Sequence, residues 1–192
     1  MFQCIERKVN ELKTDVKNPS TEGMPICRLL IFAVRRSAFK TVTRMDHLKS
    51  DEQYMREAYR EALLALGRDE VPVGAVIVSR GKIIARGHNL TETLNDATAH
   101  AEMQAFTSAS NHTGGKYLNE CTLYVTLEPC PMCAAASMWV QLGEIVYGAS
   151  DPKRGYSTLN ASLLHPKTKV RGGIMAEECG KLLSDFFKRK RL

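Results

Sequence analysis

The sequence predicts an α/β layered domain with a partly parallel sheet and helices on both faces. Three observations carry that expectation. Apolar residues recur at helical spacing in some segments and form short strand-like runs in others. The two kinds of segment alternate along the chain after Ser50. Caps, glycines and prolines stand at the junctions between them. Strands alternating with helices bury both sheet faces under helices.

The elements follow in order. Ser50 reads as a helix cap with Gln53 as its capping-box partner, and Tyr54, Met55, Ala58, Ala62, Leu63 and Leu66 supply an apolar face up to Gly67. After Pro72, Val73–Val78 reads as a buried strand, Ser79–Lys82 as a turn, and Ile83–Gly87 as the returning arm of a hairpin. A polar loop from Asn89 to Asp96 leads to Thr98, the expected cap of a helix over Ala99–Ser110. Thr122–Leu127 is the clearest strand, Pro131–Gln141 a helix, Glu144–Ala149 another strand, and Val170–Met175 a fifth. Ala176–Lys190 closes the domain as a helix with a basic end.

Composition narrows the class. The 192 residues suit one domain plus a tail. Residues 1–44 are read as an extension, poorly ordered or dispensable for chemistry, and 45–192 as the functional domain, with Met45 as an alternative natural start. Asn18-Pro19-Ser20 and Glu22-Gly23 interrupt the extension, and Ile26–Val42 is mixed apolar and basic. No apolar run approaches the ~18 residues of a membrane span, and no export signal is legible. The expected partners therefore exclude membrane, and the expected location is the cytoplasm. The charge of +6 is uneven: residues 1–44 hold nine Lys/Arg against four Asp/Glu, and 45–192 hold eighteen against seventeen. Attraction for nucleic acid must then come from local patches or from the extension.

Two stretches carry chemistry. Thr98-Ala99-His100-Ala101-Glu102 and Glu128-Pro129-Cys130-Pro131-Met132-Cys133 each open a predicted helix. One imidazole and two thiolates, from His100, Cys130 and Cys133, form a catalytic zinc set that leaves the fourth tetrahedral position for water. A helix N-terminus favours thiolate over thiol, and Pro131 costs nothing in a first turn. Glu102 supplies the carboxylate that can move protons beside such a water. In a regular helix positions i and i+2 point roughly 200° apart. His100 and Glu102 therefore converge only if the metal lies across the helix end. A structural zinc site would instead need a fourth ligand, such as Cys121, Cys179 or His88. A redox pair would leave His100 and Glu102 without a task. The joint His-x-Glu and Pro-Cys-x-x-Cys pattern is the zinc-deaminase signature.

Residues 50–190 resemble the tRNA adenosine deaminases of the cytidine/deoxycytidylate deaminase superfamily. The likeness extends to Glu70-Val71-Pro72-Val73-Gly74-Ala75-Val76, Gly87-His88-Asn89, Leu123–Cys130, Val146–Ala149 and Leu182–Phe187, in the family's order. It implies a cytidine-deaminase-like three-layer α/β/α sandwich with a mixed five-stranded sheet. It also implies one Zn²⁺ per subunit, a homodimer and no organic cofactor. The implied reaction is hydrolytic deamination of the wobble adenosine to inosine in a tRNA anticodon loop by zinc-activated water. Glu102 is the implied catalytic residue. Asn89 is implied to bond the base or ribose, Pro72 and Val73 to wall the pocket, Ala99 to meet the purine edge, and Asp151 to touch a neighbouring nucleotide. Plainer alternatives exist: Asn89 as a turn residue, Val73 as core, Asp151 as a loop cap. The chain departs from many relatives at Ser150, at Gly155-Tyr156-Ser157-Thr158 and at Asp96-Ala97-Thr98. Lys153, Arg154, Lys167, Lys169, Arg171 and the run Lys188–Arg191 could meet phosphates, and Tyr156 could stack on a base. The competing functions are a small-molecule nucleobase or nucleoside deaminase of the guanine or cytosine type, and a noncatalytic zinc-bearing RNA-binding subunit.

Overall fold

Residue alternation within the strands explains the layering. In the computed structural model, which describes residues 51–159 and 161–191, Ala75, Ile77, Leu123, Val125 and Ile145 point to one sheet face and Val76, Val78, Tyr124 and Val146 to the other. A strand buried on both faces reads as an unbroken apolar run because consecutive side chains alternate sides. Burying each Leu, Ile or Val fully contributes about 1.5–3 kcal/mol, so the sheet is the main stabilising layer.

The five strands are β1 (Gly74–Ser79), β2 (Lys82–His88), β3 (Cys121–Leu127), β4 (Glu144–Ala149) and β5 (Lys169–Gly172), in spatial order β2-β1-β3-β4-β5. β1 pairs antiparallel with β2 and β3, and β3-β4-β5 run parallel. The sheet is mixed, as expected. Helices α2 (Ala101–Thr113) and α3 (Pro131–Trp139) belong to one face, with Ala101, Ala105, Phe106 and Ala109 in its core and Ala136 against it. Helix α1 (51–67) and α4 (Ala176–Lys190) cover the other, where Met55, Ala58 and Cys179 are buried. The result is an α/β/α sandwich.

Several local expectations shift. In α1 the inward stripe is Asp51, Met55, Ala58, Ala62 and Ala65, while Leu63 is 43% exposed. The reason is proximity: a Cβ on Gly74 of β1 would sit 2.2 Å from the Ala58 carbonyl oxygen. Only small side chains fit where the helix backbone lies so close. Gly67 is the last helical residue, and the left-handed turn falls on Asp69 (φ 62°) instead. Helix α2 runs from Ala101 to Thr113 rather than Ala99 to Ser110, and α3 ends at Trp139. Thr98 does not cap α2: its N–H and hydroxyl both donate to Asp96 Oδ1 at 2.8 Å. The fifth strand is shorter than expected and begins one residue earlier, at Lys169. The Ser50 cap and the readings of residues 1–44 lie outside the described residues. Among the described residues no helix is long and apolar enough to cross a membrane.

Asp51 anchors α1 to the sheet. Its buried carboxylate accepts from the Tyr124 hydroxyl at 2.8 Å and pairs with Arg171, which also bonds Glu144 at 2.9 Å. Arg171 is thus held by two carboxylates, a structural role beside the phosphate contact expected of it.

Candidate active site

Both chemistry-bearing stretches sit at helix starts on one sheet face. His100 occupies the N-cap of α2 with extended backbone (φ −68°, ψ 157°), and Cys130 occupies the N-cap of α3 in nearly the same conformation (φ −69°, ψ 166°). Neither side chain caps its own helix. Each turns toward a shared point. Cys133 joins them from the first turn of α3. This corrects the angular argument from sequence: His100 precedes the helix, so the 200° separation within a regular helix does not apply, and extended backbone lets it swing toward the thiols. Close packing brings the two helix starts together. A Cβ on Gly87 would fall 2.4 Å from the Ala101 carbonyl oxygen, so only glycine admits α2 this near β2.

The distances suit a metal. His100 Nδ1 lies 3.6 Å from Cys130 Sγ and 3.5 Å from Cys133 Sγ. All three ligand atoms lie within 4.8 Å of one another. A tetrahedral zinc with Zn–S of about 2.3 Å and Zn–N of about 2.0–2.1 Å sets S···N near ~3.5 Å. Among the described residues no fourth His, Cys, Asp or Glu joins this cluster. Cys121 and Cys179 are buried in separate cores, and His88 bonds Glu61 at 3.0 Å. The donor set therefore fits a three-ligand zinc site with an open corner. The Cys133 thiol and the His100 imidazole hold Cys130 at about 4, a thiolate, while the bond to Cys130 and burial push Cys133 far up. A cation bound here would take both sulfurs as thiolates.

Glu102, second residue of α2, is 4% exposed. Burial pushes its carboxyl above the usual carboxylate range, and the Cys130 thiolate adds to the shift. It also interacts with His100 and the Cys133 thiol, which places it beside the triad.

The remaining expected residues divide into two groups. Val73, Asn89 and Ala99 lie on one backbone ladder that leads to His100. The Asn89 N–H donates to the Val73 carbonyl at 3.1 Å, and the Leu90 N–H donates to the Ala99 carbonyl at 3.0 Å. Pro72 and Ala99 are buried, and Val73 is half-buried against the α2 core. Asp151 belongs to the other side, past the end of β4. Its Oδ1 accepts the Lys153 and Arg154 N–H groups at 3.0 Å, the loop-cap arrangement. Lys153 and Arg154 are exposed beside it, whereas Lys188 pairs with Asp185 and Lys190 with Asp69. Tyr156 is half-buried, its N–H donating to the Pro129 carbonyl at 2.9 Å.

Four buried carboxylates had no role assigned from sequence: Asp51, Glu61, Glu70 and Glu128. Glu70 bonds the Asn89 loop. Glu128, 3% exposed, accepts the Asp151 N–H at 3.0 Å and the Ser157 N–H at 3.2 Å, tying the loop after β4 to the residue just before Pro129-Cys130. For Glu128 the available signal was an acidic residue at the end of an apolar strand run.

Comparison with known proteins agrees with this geometry. Residues 48–149 match the family model described as the cytidine and deoxycytidylate deaminase zinc-binding region. The tRNA-specific adenosine deaminase of Bacillus subtilis is 46% identical over 149 residues, covering 75% of this chain and 92% of that relative. The tRNA-specific adenosine deaminase of Rickettsia felis is 44% identical over 144 residues, covering 71% of this chain and 100% of that relative. A solved structure from studies of A-to-I editing by tRNA:A34 deaminases at the wobble position of transfer RNA has TM-score 0.64 and 41% identity, covering 68% of this chain and 99% of that one. A guanine deaminase from Nitrosomonas europaea shares the fold at TM-score 0.61 with 22% identity, covering 70% of this chain and 83% of that one. The chain belongs to the tRNA-specific adenosine deaminases of the cytidine and deoxycytidylate deaminase family, and it is a hydrolytic deaminase.

Proposed function

We propose that this chain converts the wobble adenosine of a tRNA anticodon loop to inosine. The observation that carries the reading is Glu102, buried beside a nitrogen-and-two-sulfur triad with zinc-sized spacing. His100, Cys130 and Cys133 would hold one Zn²⁺ per chain. Zinc, when bound, lowers the pKa of a water from ~16 toward ~7. Glu102 takes the proton of the attacking water and delivers it to purine N1. It then passes the second proton to the amine on C6. Water adds one oxygen to C6 and ammonia leaves, so adenosine plus water gives inosine plus ammonia. Burial raises the carboxyl above the usual carboxylate range, in the direction that suits a group which must both take and give a proton.

Pro72 and Val73 would wall the base, Ala99 would meet its edge, Asn89 would bond base or ribose, and Asp151 would face the neighbouring nucleotide. Exposed Lys153 and Arg154 support contact with RNA phosphates. A homodimer is supported by Trp139, 76% exposed at the end of α3. We read residues 45–192 as the catalytic unit, 1–44 as dispensable for chemistry, and the cytoplasm as its location.

The test is direct. Purified protein is incubated with an anticodon stem-loop carrying wobble adenosine, and separately with guanine, cytosine and cytidine. Inosine from the stem-loop is expected. Ammonia only from the free bases or cytidine would overturn the reading in favour of a small-molecule deaminase.

A further inference from the structure

We infer that Glu70 is the positioning residue of the substrate pocket. It fixes the Asn89 side-chain amide with its nitrogen turned into the protein, leaving Oδ1 as the acceptor offered to an O–H or N–H of the nucleotide. The inference rests on the reading of Asn89 as a substrate contact.

The argument starts at the end of α1. The Asp69 N–H donates to the Leu66 carbonyl and the Glu70 N–H to the Ala65 carbonyl, both at 3.1 Å, with Asp69 left-handed. These are the two bonds of a Schellman motif, which reverses the chain sharply. Glu70 is delivered to the interior with no exposed surface. Among the described residues no Lys, Arg or His pairs with it, so hydrogen bonds must compensate its desolvation. Its Oε2 accepts from Asn89 Nδ2 at 3.1 Å, the Thr91 hydroxyl at 3.2 Å and the Glu92 N–H at 3.2 Å. Its Oε1 accepts from the Thr93 N–H at 2.7 Å. Burial alone would raise the carboxyl, but these donors outweigh it and hold the group below the usual carboxylate range.

An ionised carboxylate only accepts. Asn89 must therefore face it with nitrogen, which settles an amide orientation that is otherwise ambiguous. Nδ2 also donates to the Thr91 oxygen at 3.0 Å, while the Thr91 hydroxyl proton goes to Glu70. Both amide hydrogens are spent. Oδ1 accepts nothing among the described residues. It is also not a buried orphan, since His88 Nε2 is the one buried side-chain polar atom lacking a partner there. Oδ1 is reachable, and the ladder through Val73 and Ala99 sets Asn89 near His100. A reachable, oriented acceptor selects a ligand that donates, and rejects an analogue lacking that hydrogen.

The test uses Glu70→Gln in the full chain, with Asn89→Ala as the second corner of a cycle. The carboxamide can donate, so the Asn89 amide is free to turn and hide Oδ1. The side-chain NH₂ resonances of Asn89, assigned by their absence in Asn89→Ala, should exchange slowly in the wild type and lose protection in Glu70→Gln. With the anticodon stem-loop, KM should rise about tenfold while kcat stays within about twofold, the loss of one oriented hydrogen bond. Glu70→Gln should add nothing in the Asn89→Ala background. Should Glu70→Gln fail to fold, Thr91→Val removes the second brace, with about a threefold rise in KM, again absent beside Asn89→Ala. Unprotected wild-type resonances, an equal loss in both backgrounds, or full activity of Asn89→Ala would overturn the inference. A protected amide in a chain that makes no inosine would instead support the orientation and overturn the wobble reading.

Discussion

Glu70 precedes the Asn89–Ala99 loop in the chain and Glu102 follows it; both are buried, yet their carboxyls shift in opposite directions. Glu102 has its own backbone N–H and a thiol for company, and burial prevails. Glu70 receives two loop N–H groups, an amide and a hydroxyl, and the donors prevail. Burial works against the charge in both; at Glu70 the donors outweigh it, and at Glu102 they do not. On the proposed reading, Glu102 acts on the reaction and Glu70 on the shape of the pocket.

That contrast can be broken at either end. The largest effect belongs to Glu102→Gln, which should lower kcat by about 10³-fold, within the usual range for losing a general acid–base group. Zinc content by elemental analysis should not change, and unfolding should be no easier, because a neutral amide replaces a strained carboxyl. Simultaneous loss of zinc would show that Glu102 holds the site together rather than moving protons.

Next comes Glu70→Ala. It strands several buried donors, so stability should fall by about 3 kcal/mol, read as a lower urea midpoint. The pH dependence follows from the direction of the shift. The folded chain binds fewer protons at Glu70 than the unfolded chain does, so this contribution is complete above the ordinary carboxylate value. It is lost as pH falls below about 4.3 through the lower native value. Glu70→Gln should flatten that acid limb. An unchanged limb would mean that the donors do not hold Glu70 ionised.

The smallest effect calibrates the others. Glu120 forms an exposed pair with Arg80, its side chain 68% accessible. Glu120→Gln should change stability by less than about 0.5 kcal/mol and leave kcat alone. A larger change would mean that solvent does not screen this exposed pair.

The legible parts of the molecule were those written in local spacing. His100, Glu102, Cys130 and Cys133 stood out because helix starts gather ligands and protect thiolates, and both facts depend on neighbours a few residues away. The strands stood out as apolar runs. Helix ends were less legible. Thr98 looked like a cap, but Asp96 two residues back takes its donors, and Leu63 looked inward in a helix packed too close for leucine. Asp151 could be read as a nucleotide contact or a loop cap, and only the loop geometry shows where its Oδ1 is spent.

By itself the sequence determined an α/β fold and pointed to His100, Cys130, Cys133 and Glu102 as one candidate site, because period-two and helical patterns and short motif spacings are properties of the chain over a few residues. Tertiary structure alone decided what the buried acids do. Glu70 finds its donors at residues 89–93, Glu128 at 151 and 157, and Asp51 its arginine at 171. Such partners meet only after the chain has folded back on itself, and the balance between desolvation and donors that sets each charge does not exist until they do.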